Sequence, residues 1–370
     1  MHENLSSERF KEIIVALSSE ILQMEMYNPT EHIPDSFVSY LEDLQCLFLT
    51  YGRTGFRNLV EGFEWLSRPL NEWGSPFTEW AQEEEWNDPM FINGGPSELV
   101  QELGEKSPFQ KLDSLFKRFV NQAKQHQDPD TYSRVRRLIC EQPYFADVAD
   151  FQRNPLMSIP YARSYLRQCF DWVPQNRIRN GKLALCPYCR TPVRWRFDPS
   201  GWLSDCHPTC RSVCSGLRAQ KGLLWKDKPD GAAPLMVKEH IHRDTVIPDQ
   251  ATLLILRTLE RWNESLEAPI QVWAWPEFDA TDLLLVFPDG ERWSIDVKDY
   301  RNPVRLAREF HGIPSYGDIY YDQAFVVFPD HRKKHPHYLD QFLFHCSVPD
   351  LQACFVSEFL NRVRHKEEHS

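Results

Sequence analysis

Two carboxylates and a lysine carry the clearest chemical signal in the sequence. Asp296-Val297-Lys298 sets an acid and an amine two residues apart on a stretch, 292–298, that reads as a β-strand. Side chains alternate across a strand, so Asp296 and Lys298 share one face. Asp282 opens the preceding apolar run, 283–287, and Pro288-Asp289-Gly290-Glu291 between the runs is a turn signal. A hairpin would carry Asp282 to the other two. Two hard oxygen ligands suit Mg²⁺ or Mn²⁺. Such an ion polarises a phosphoryl oxygen and helps ionise an attacking water. The lysine would orient or deprotonate that water, or neutralise charge developing on phosphorus. Lys298 lies between carboxylates and is expected to be charged at rest. Glu260, near the end of a helix over 249–264, is a supporting acid. Glu277, Asp279 and Asp299 have weaker claims, and Gln323 could position a water or a phosphate. The bland counterpart is an Asp296–Lys298 salt bridge on a solvated face.

A second constellation is built from sulfur. The chain has ten cysteines, and Cys186, Cys189, Cys206, Cys210 and Cys214 fall in one short stretch. Cys186-Pro187-Tyr188-Cys189 has the spacing of a metal knuckle, and Cys206 and Cys210 follow after a hairpin-length insertion. Zn²⁺ favours four N/S ligands in a closed structural site. Cys186, Cys189, Cys206 and Cys210 are the first choice, with His207 or Cys214 as replacements in the second pair. Reduced thiols or a redox pair are the competing reading. Arg194, Arg196 and Arg211 surround the knuckle and, with Trp195 and Trp202, could meet phosphates and bases. A protein-docking surface is an equal alternative. Lys333 and Lys334, in the basic run 331–335, could grip a nucleic-acid backbone, although such runs are more often solvated loops. His240 and His242 form a pair that is usually incidental in a polar segment.

These groups need elements to hold them. The chain has 370 residues, 42% of them hydrophobic, enough for two or three cored domains. Residues 1–174 read as a helical, acidic domain with a Trp-rich stretch from Trp65 to Trp86, its indoles more usually core than surface. Residues 175–215 read as a zinc ribbon, 216–247 as a linker and 248–370 as an α/β domain. In that last part a helix, three strands, a helix over 303–310, a strand over 319–328 and helices over 336–345 and 349–365 are expected. The fold class is therefore multidomain α+β.

The net charge of −11 is unevenly spread: residues 1–150 hold 26 acidic and 13 basic side chains, and residues 151–240 hold 6 and 15. A basic middle fits either a phosphate-facing surface or a face docked on acidic neighbours. No apolar run approaches membrane length and no signal-peptide core opens the chain, so a cytoplasmic protein is expected.

Glu260, Asp282 and Asp296-Val297-Lys298 together resemble the PD-(D/E)xK superfamily of restriction-endonuclease-like proteins. The strings at 275–283, 293–300 and 302–307 are similar to a narrower group, the restriction-endonuclease-like proteins that accompany prokaryotic Piwi-related proteins of the pPIWI-RE class. The resemblance spans about residues 180–330. It implies a metal-dependent DNA nuclease in a bacterial defence system, with a Piwi-like protein and a DinG-type helicase as companions. A catalytically idle binding subunit of the same kind of complex is the alternative. The sequence departs from the superfamily pattern in one place: Thr281, not proline, precedes Asp282. Asp279 could therefore share or take that acid's role.

Overall fold

The computed structural model describes residues 2–26, 33–84, 86–92, 95–104, 111–198, 201–205, 222–227, 232–238, 241–314, 320–349 and 351–368. Contacts divide the chain into two compact units, Met1–Lys111 and Leu112–Ser370. The division falls well before residue 174, because helices between 112 and 174 share a core with the C-terminal sheet.

The first unit is helical. It contains α1 (His2–Met26), α2 (Asp35–Thr50), α3 (Leu59–Leu66), α4 (Phe77–Glu83) and α5 (Glu98–Gly104), with a short hairpin of β1 (Phe91–Ile92) and β2 (Gly95–Pro96). Phe10, Ile13, Ile14, Leu17 and Ile21 recur at helical spacing and form the buried stripe of α1. The Trp-rich stretch points inward: Trp73, Trp80 and Trp86 are buried. Phe48 and Phe77 meet edge to face with ring centroids 4.5 Å apart.

The second unit opens with α6 (Lys111–Gln125), α7 (Pro129–Glu141), α8 (Val148–Arg153) and α9 (Pro160–Cys169). Asp128 caps α7 by accepting from Thr131 N, and Pro129 stands in its first turn, where its missing N–H is harmless. Its strands in chain order are β3 (Tyr144–Phe145), β4 (Phe170–Trp172), β5 (Ile178–Arg179), β6 (Lys182–Leu185), β7 (Arg194–Asp198), β8 (Gly201–Asp205), β9 (Leu224–Asp227) and β10 (Leu235–Val237), followed by β11 (Gln271–Ala274), β12 (Leu283–Val286), β13 (Arg292–Val297), β14 (Gln323–Phe328) and β15 (Gln352–Phe355). The later helices are α10 (Gln250–Asn263), α11 (Pro303–Glu309), α12 (Tyr338–His345) and α13 (Val356–Glu368).

The segment expected as a linker is partly built into the fold. The apolar run of β10 sits between β3 and β4 as the middle strand of a small sheet, and Ile241 and Val246 are buried. Around the cysteines, β5, β6 and β9 form a second small sheet, and β7 pairs with β8 as a hairpin.

The sheet that matters most runs β11-β12-β13-β14-β15. Its first three strands are antiparallel, and β13, β14 and β15 are parallel. Gly290, at φ +90°, makes the tight turn between β12 and β13. On one face Ile295, Phe325 and Val327 pack with Leu256 and Leu259 of α10 and Phe359 of α13. On the other, Val326 and Phe328 pack with Leu306 of α11 and Tyr338 and Phe342 of α12. The fifth strand, β15, lies inside a stretch expected to be helical. Leu351, Cys354, Phe355, Phe359 and Val363 keep near-helical spacing across the strand–helix junction, and that spacing hides the change.

Candidate functional site

The register of the β12–β13 hairpin builds the site. Leu283 pairs with Ile295 and Leu284 with Ser294, so one step further brings residue 282 level with residue 296. Trp293, Ile295 and Val297 turn to the core containing α10 and α13. Asp296 and Lys298 therefore belong to the opposite face, the one covered by α11 and α12.

Asp282 is fixed from both ends. Its N–H and the Thr281 hydroxyl both donate to Ile295 O, at 3.1 and 2.7 Å. Ser294 Oγ donates to Thr281 Oγ1 at 3.0 Å. Thr281, in the position of the missing proline, thus anchors the strand end through its hydroxyl. Val297 N donates to Asp282 Oδ2 at 2.7 Å, tying the carboxyl to the strand that carries the other two groups. Lys298 N donates to Val327 O at 3.0 Å, so the lysine stands at the carboxyl end of β13 against β14. Ligand sites of open sheets form at such ends.

The electrostatics are unbalanced. Lys298 Nζ lies 2.8 Å from Asp296 Oδ1. Burial works against the charge on Lys298, but Asp296 and Asp282 prevail and hold its ammonium above the ordinary lysine range. Burial, and then the negative charge of Asp296, push the Asp282 carboxyl well above the usual carboxylate range, while Lys298 pulls the other way. One cation faces two acids.

The other acids are held by arginines. Arg136 of α7 grips Asp249 with two teeth, at 2.7 and 2.9 Å, and its third nitrogen donates to Asp279. Burial still raises the Asp279 carboxyl against the pull of Arg136. Glu260, expected beside the metal, lies in a two-toothed pair with Arg137, at 2.7 and 2.9 Å. Asp299, next to Lys298, accepts from Arg332 at 2.7 Å and faces His331 at 3.0 Å. Burial would lift the Asp299 carboxyl, but Arg332 and His331 outweigh it and hold it at about 2.

Between β11 and β12 the chain makes an unusual turn. Trp275, Glu277, Phe278 and Asp279 all have left-handed φ, from +47° to +78°. Each such residue costs about 1 kcal/mol, so the turn must be held from outside. Helix α7 holds it: Ser133 Oγ donates to Trp275 O at 3.2 Å, Arg136 stacks over the Trp275 ring and binds Asp279, and Tyr132 meets Phe278 edge on. The two acids of the sequence string at 275–283 are thereby separated. Asp279 faces α7, and Asp282 faces β13.

The remaining expected residues fall as follows. Cys186 and Cys189 are buried at a tight turn after β6, where Arg190 N donates to Cys186 O at 2.9 Å. Cys206, His207, Cys210, Cys214 and Arg211 lie outside the described residues, as does the side chain of Arg196. Arg194 is half-buried on β7. Lys333 is tied to Asp330 at 2.9 Å and to Ser357 at 2.6 Å, whereas Lys334 is exposed. Gln323 donates to Glu291 at 2.5 Å and accepts from Gln352 at 2.8 Å, level with Trp293 rather than Asp296. That register places it about 10 Å along the strand from the acids, too far to position a water there. Sequence reasoning missed Arg136, Arg332 and Asp249. The run Arg134-Val135-Arg136-Arg137 was the available signal, but its partners lie over a hundred residues away.

The donor set suits a divalent cation. Asp249, Asp279, Asp282 and Asp296 influence one another here, against Arg136 and Lys298. Each of these two cations faces two acids, and Asp282 and Asp296 have Lys298 between them. Among the described residues no three His, Cys, Asp or Glu side chains converge as a ready ligand set. Two carboxylates would therefore share an ion with water and phosphate oxygens, as Mg²⁺ sites commonly do.

The sheet is mixed, with helices on both faces, and Asp282 and Asp296 lie level with each other at one end of the β12–β13 hairpin. Residues 251–370 match the family model described as REase associating with pPIWI_RE, a restriction-endonuclease domain found with Piwi-related proteins. The match takes in the sheet and α11 to α13 but neither the cysteine segment nor α7. No curated protein and no solved structure matches the chain. Among the described residues no helix is long and apolar enough to cross a membrane.

Proposed function

We propose that the second unit is a metal-dependent nuclease that hydrolyses DNA phosphodiester bonds. The observation that carries this reading is geometric: the hairpin register brings Asp282 level with Asp296, Val297 N donates to Asp282 Oδ2 at 2.7 Å, and Lys298 Nζ lies 2.8 Å from Asp296 Oδ1. Asp282 and Asp296 would hold Mg²⁺ or Mn²⁺. When bound, such an ion polarises the scissile phosphate and lowers the pKa of a nearby water.

The protein's own groups do the rest. The Val297 N–H and the Thr281 anchor fix Asp282, so the carboxyl need not reorganise. Lys298 rests as an ammonium ion and so acts as a donor, stabilising negative charge that grows on phosphate oxygens. In that state it cannot accept a proton from water, which leaves the base to another group or to the substrate. Asp299, locked by Arg332 and His331, holds the backbone behind Lys298.

The family match supports a setting in prokaryotic defence with a Piwi-like protein as partner, and a DinG-type helicase is a further proposed companion that rests on the sequence resemblance alone. The buried Cys186–Cys189 turn supports a structural Zn²⁺ completed by Cys206 and Cys210, with His207 or Cys214 as replacements. Metal analysis of the purified chain tests it: about one zinc per chain is expected, halved or lost in Cys186→Ser.

A second reading has one specific observation behind it. Glu260 is occupied by Arg137 and among the described residues no third ligand converges, so the fold could bind DNA without cutting it until a partner completes the site. Cleavage of labelled DNA with Mg²⁺ or Mn²⁺, by the chain alone and then with its partners, separates the two readings. Asp296→Asn serves as the control. Cutting that survives Asp296→Asn, or its absence under every condition, removes the hydrolase.

A further inference from the structure

The small sheet near the cysteines carries a column of rings and cations that the nuclease site does not use. Trp195 of β7 and Trp225 of β9 stack with centroids 5.6 Å apart and planes 21° from parallel. Arg179 of β5 lies over the Trp195 ring, 5.2 Å from its centroid. Three strands that are not consecutive in sequence thus build one guanidinium–indole–indole stack. Trp195 is half-buried at its centre, whereas Trp225 keeps 52% of its surface exposed.

Leu224 and Trp225 are both exposed on β9, an edge strand in which every residue is exposed. Positive charge predominates around it: Lys182, Arg190 and Lys226 are exposed and Arg179 and Arg194 half-buried, against Asp227, which pairs with Lys182 at 3.3 Å, and Asp198 and Asp205 of the β7–β8 hairpin. A protein partner would need acidic groups around an apolar socket. A nucleic-acid strand brings both features in each nucleotide: a planar base for the indole and a phosphate for the basic rim.

We propose that the Trp225 face is a stacking platform for an unpaired base of a single-stranded nucleic acid, with Lys226 and the neighbouring arginines attracting its backbone. Duplex DNA hides its base faces, so the platform discriminates by strand state rather than by sequence. The site is separate from Asp282, Asp296 and Lys298 and does not depend on their chemistry.

The test uses the full chain in EDTA, with fluorescein-labelled oligo(dT) of about 15 nucleotides and a duplex of equal length as probes, read by anisotropy. Binding of oligo(dT) should quench tryptophan fluorescence. Trp225→Ala should weaken oligo(dT) binding about ten-fold and leave duplex binding and the melting temperature unchanged. Trp225→Phe, which keeps a ring, should retain most of the affinity. Lys226→Ala should flatten the salt dependence for oligo(dT). EDTA withholds any divalent ion and so any cleavage, and failure of the nuclease reading would leave this result standing. Unaltered oligo(dT) binding in Trp225→Ala, an equal loss for duplex and single strand, or no oligo(dT) binding by the parent would each overturn the proposal.

Discussion

Asp299 and Asp282 lie on either side of Lys298, and their surroundings treat them oppositely. Asp299 has Arg332 and His331 against it, and its carboxyl is held at about 2. Asp282 has one lysine shared with Asp296, and its carboxyl is driven well above the usual range. Both are buried, so burial cannot explain the difference. Local charge balance does. The first cluster is complete as it stands and serves the fold. The second has two acids for one cation, which is the balance that the proposed metal would complete.

The largest effects should come from the second cluster. Asp296→Asn and Lys298→Ala should each lower metal-dependent cleavage by at least about a hundred-fold, measured in single turnovers. The circular dichroism melt should barely move in Asp296→Asn, which leaves Lys298 paired with Asp282, and should fall in Lys298→Ala, which leaves the two acids without their cation. A large drop in melting temperature with cleavage retained would reverse the assignment of roles.

The acids held by Arg136 should act on stability rather than on cleavage. Arg136→Ala strands Asp249 and Asp279 in a buried setting and releases the turn at Trp275. It should cost about 3 kcal/mol in urea denaturation. Arg136→Lys, which cannot make the two-toothed grip, should restore only part of this.

Asp299 adds a smaller, pH-dependent effect. Its folded pKa lies below that of the unfolded chain, so its contribution is fully present above about pH 4 and is lost as pH falls towards about 2. A gap of that size is worth about 2 kcal/mol. Asp299→Asn should remove this part of the acid dependence, read from urea midpoints across that window. The smallest effect should come from the cap of α11. The Asn302 side chain accepts from Val304 N and Arg305 N, at 2.9 and 3.0 Å, and Asn302→Ala should cost about 1 kcal/mol of stability.

How much of this was legible depended on distance along the chain. Asp282, Asp296 and Lys298 could be placed together because a two-residue alternation and a short turn are local rules. Both acids of the pair lie within fifteen residues and one hairpin. Glu260 was expected to support the metal, and its partner in the structure, Arg137, was out of reach of local rules because it lies 123 residues away on a helix assigned to another domain. The same distance hid the role of α7 in bracing the turn at 275–279. Four non-glycine residues with left-handed φ leave no sequence signature, since tertiary contacts impose that conformation. Strand β15 was obscured for a different reason: apolar residues on both sides of a strand–helix junction mimicked one helical stripe.

The central claim is that Asp282 and Asp296 form a pair awaiting a divalent cation. Calorimetric titration of the chain with Mn²⁺ at two pH values tests it most directly. One ion should bind with release of a proton from Asp282, more weakly at the lower pH, and binding should vanish in Asp282→Asn while the fold persists. Binding of the same strength in Asp282→Asn, or affinity and proton release that ignore pH, would contradict it.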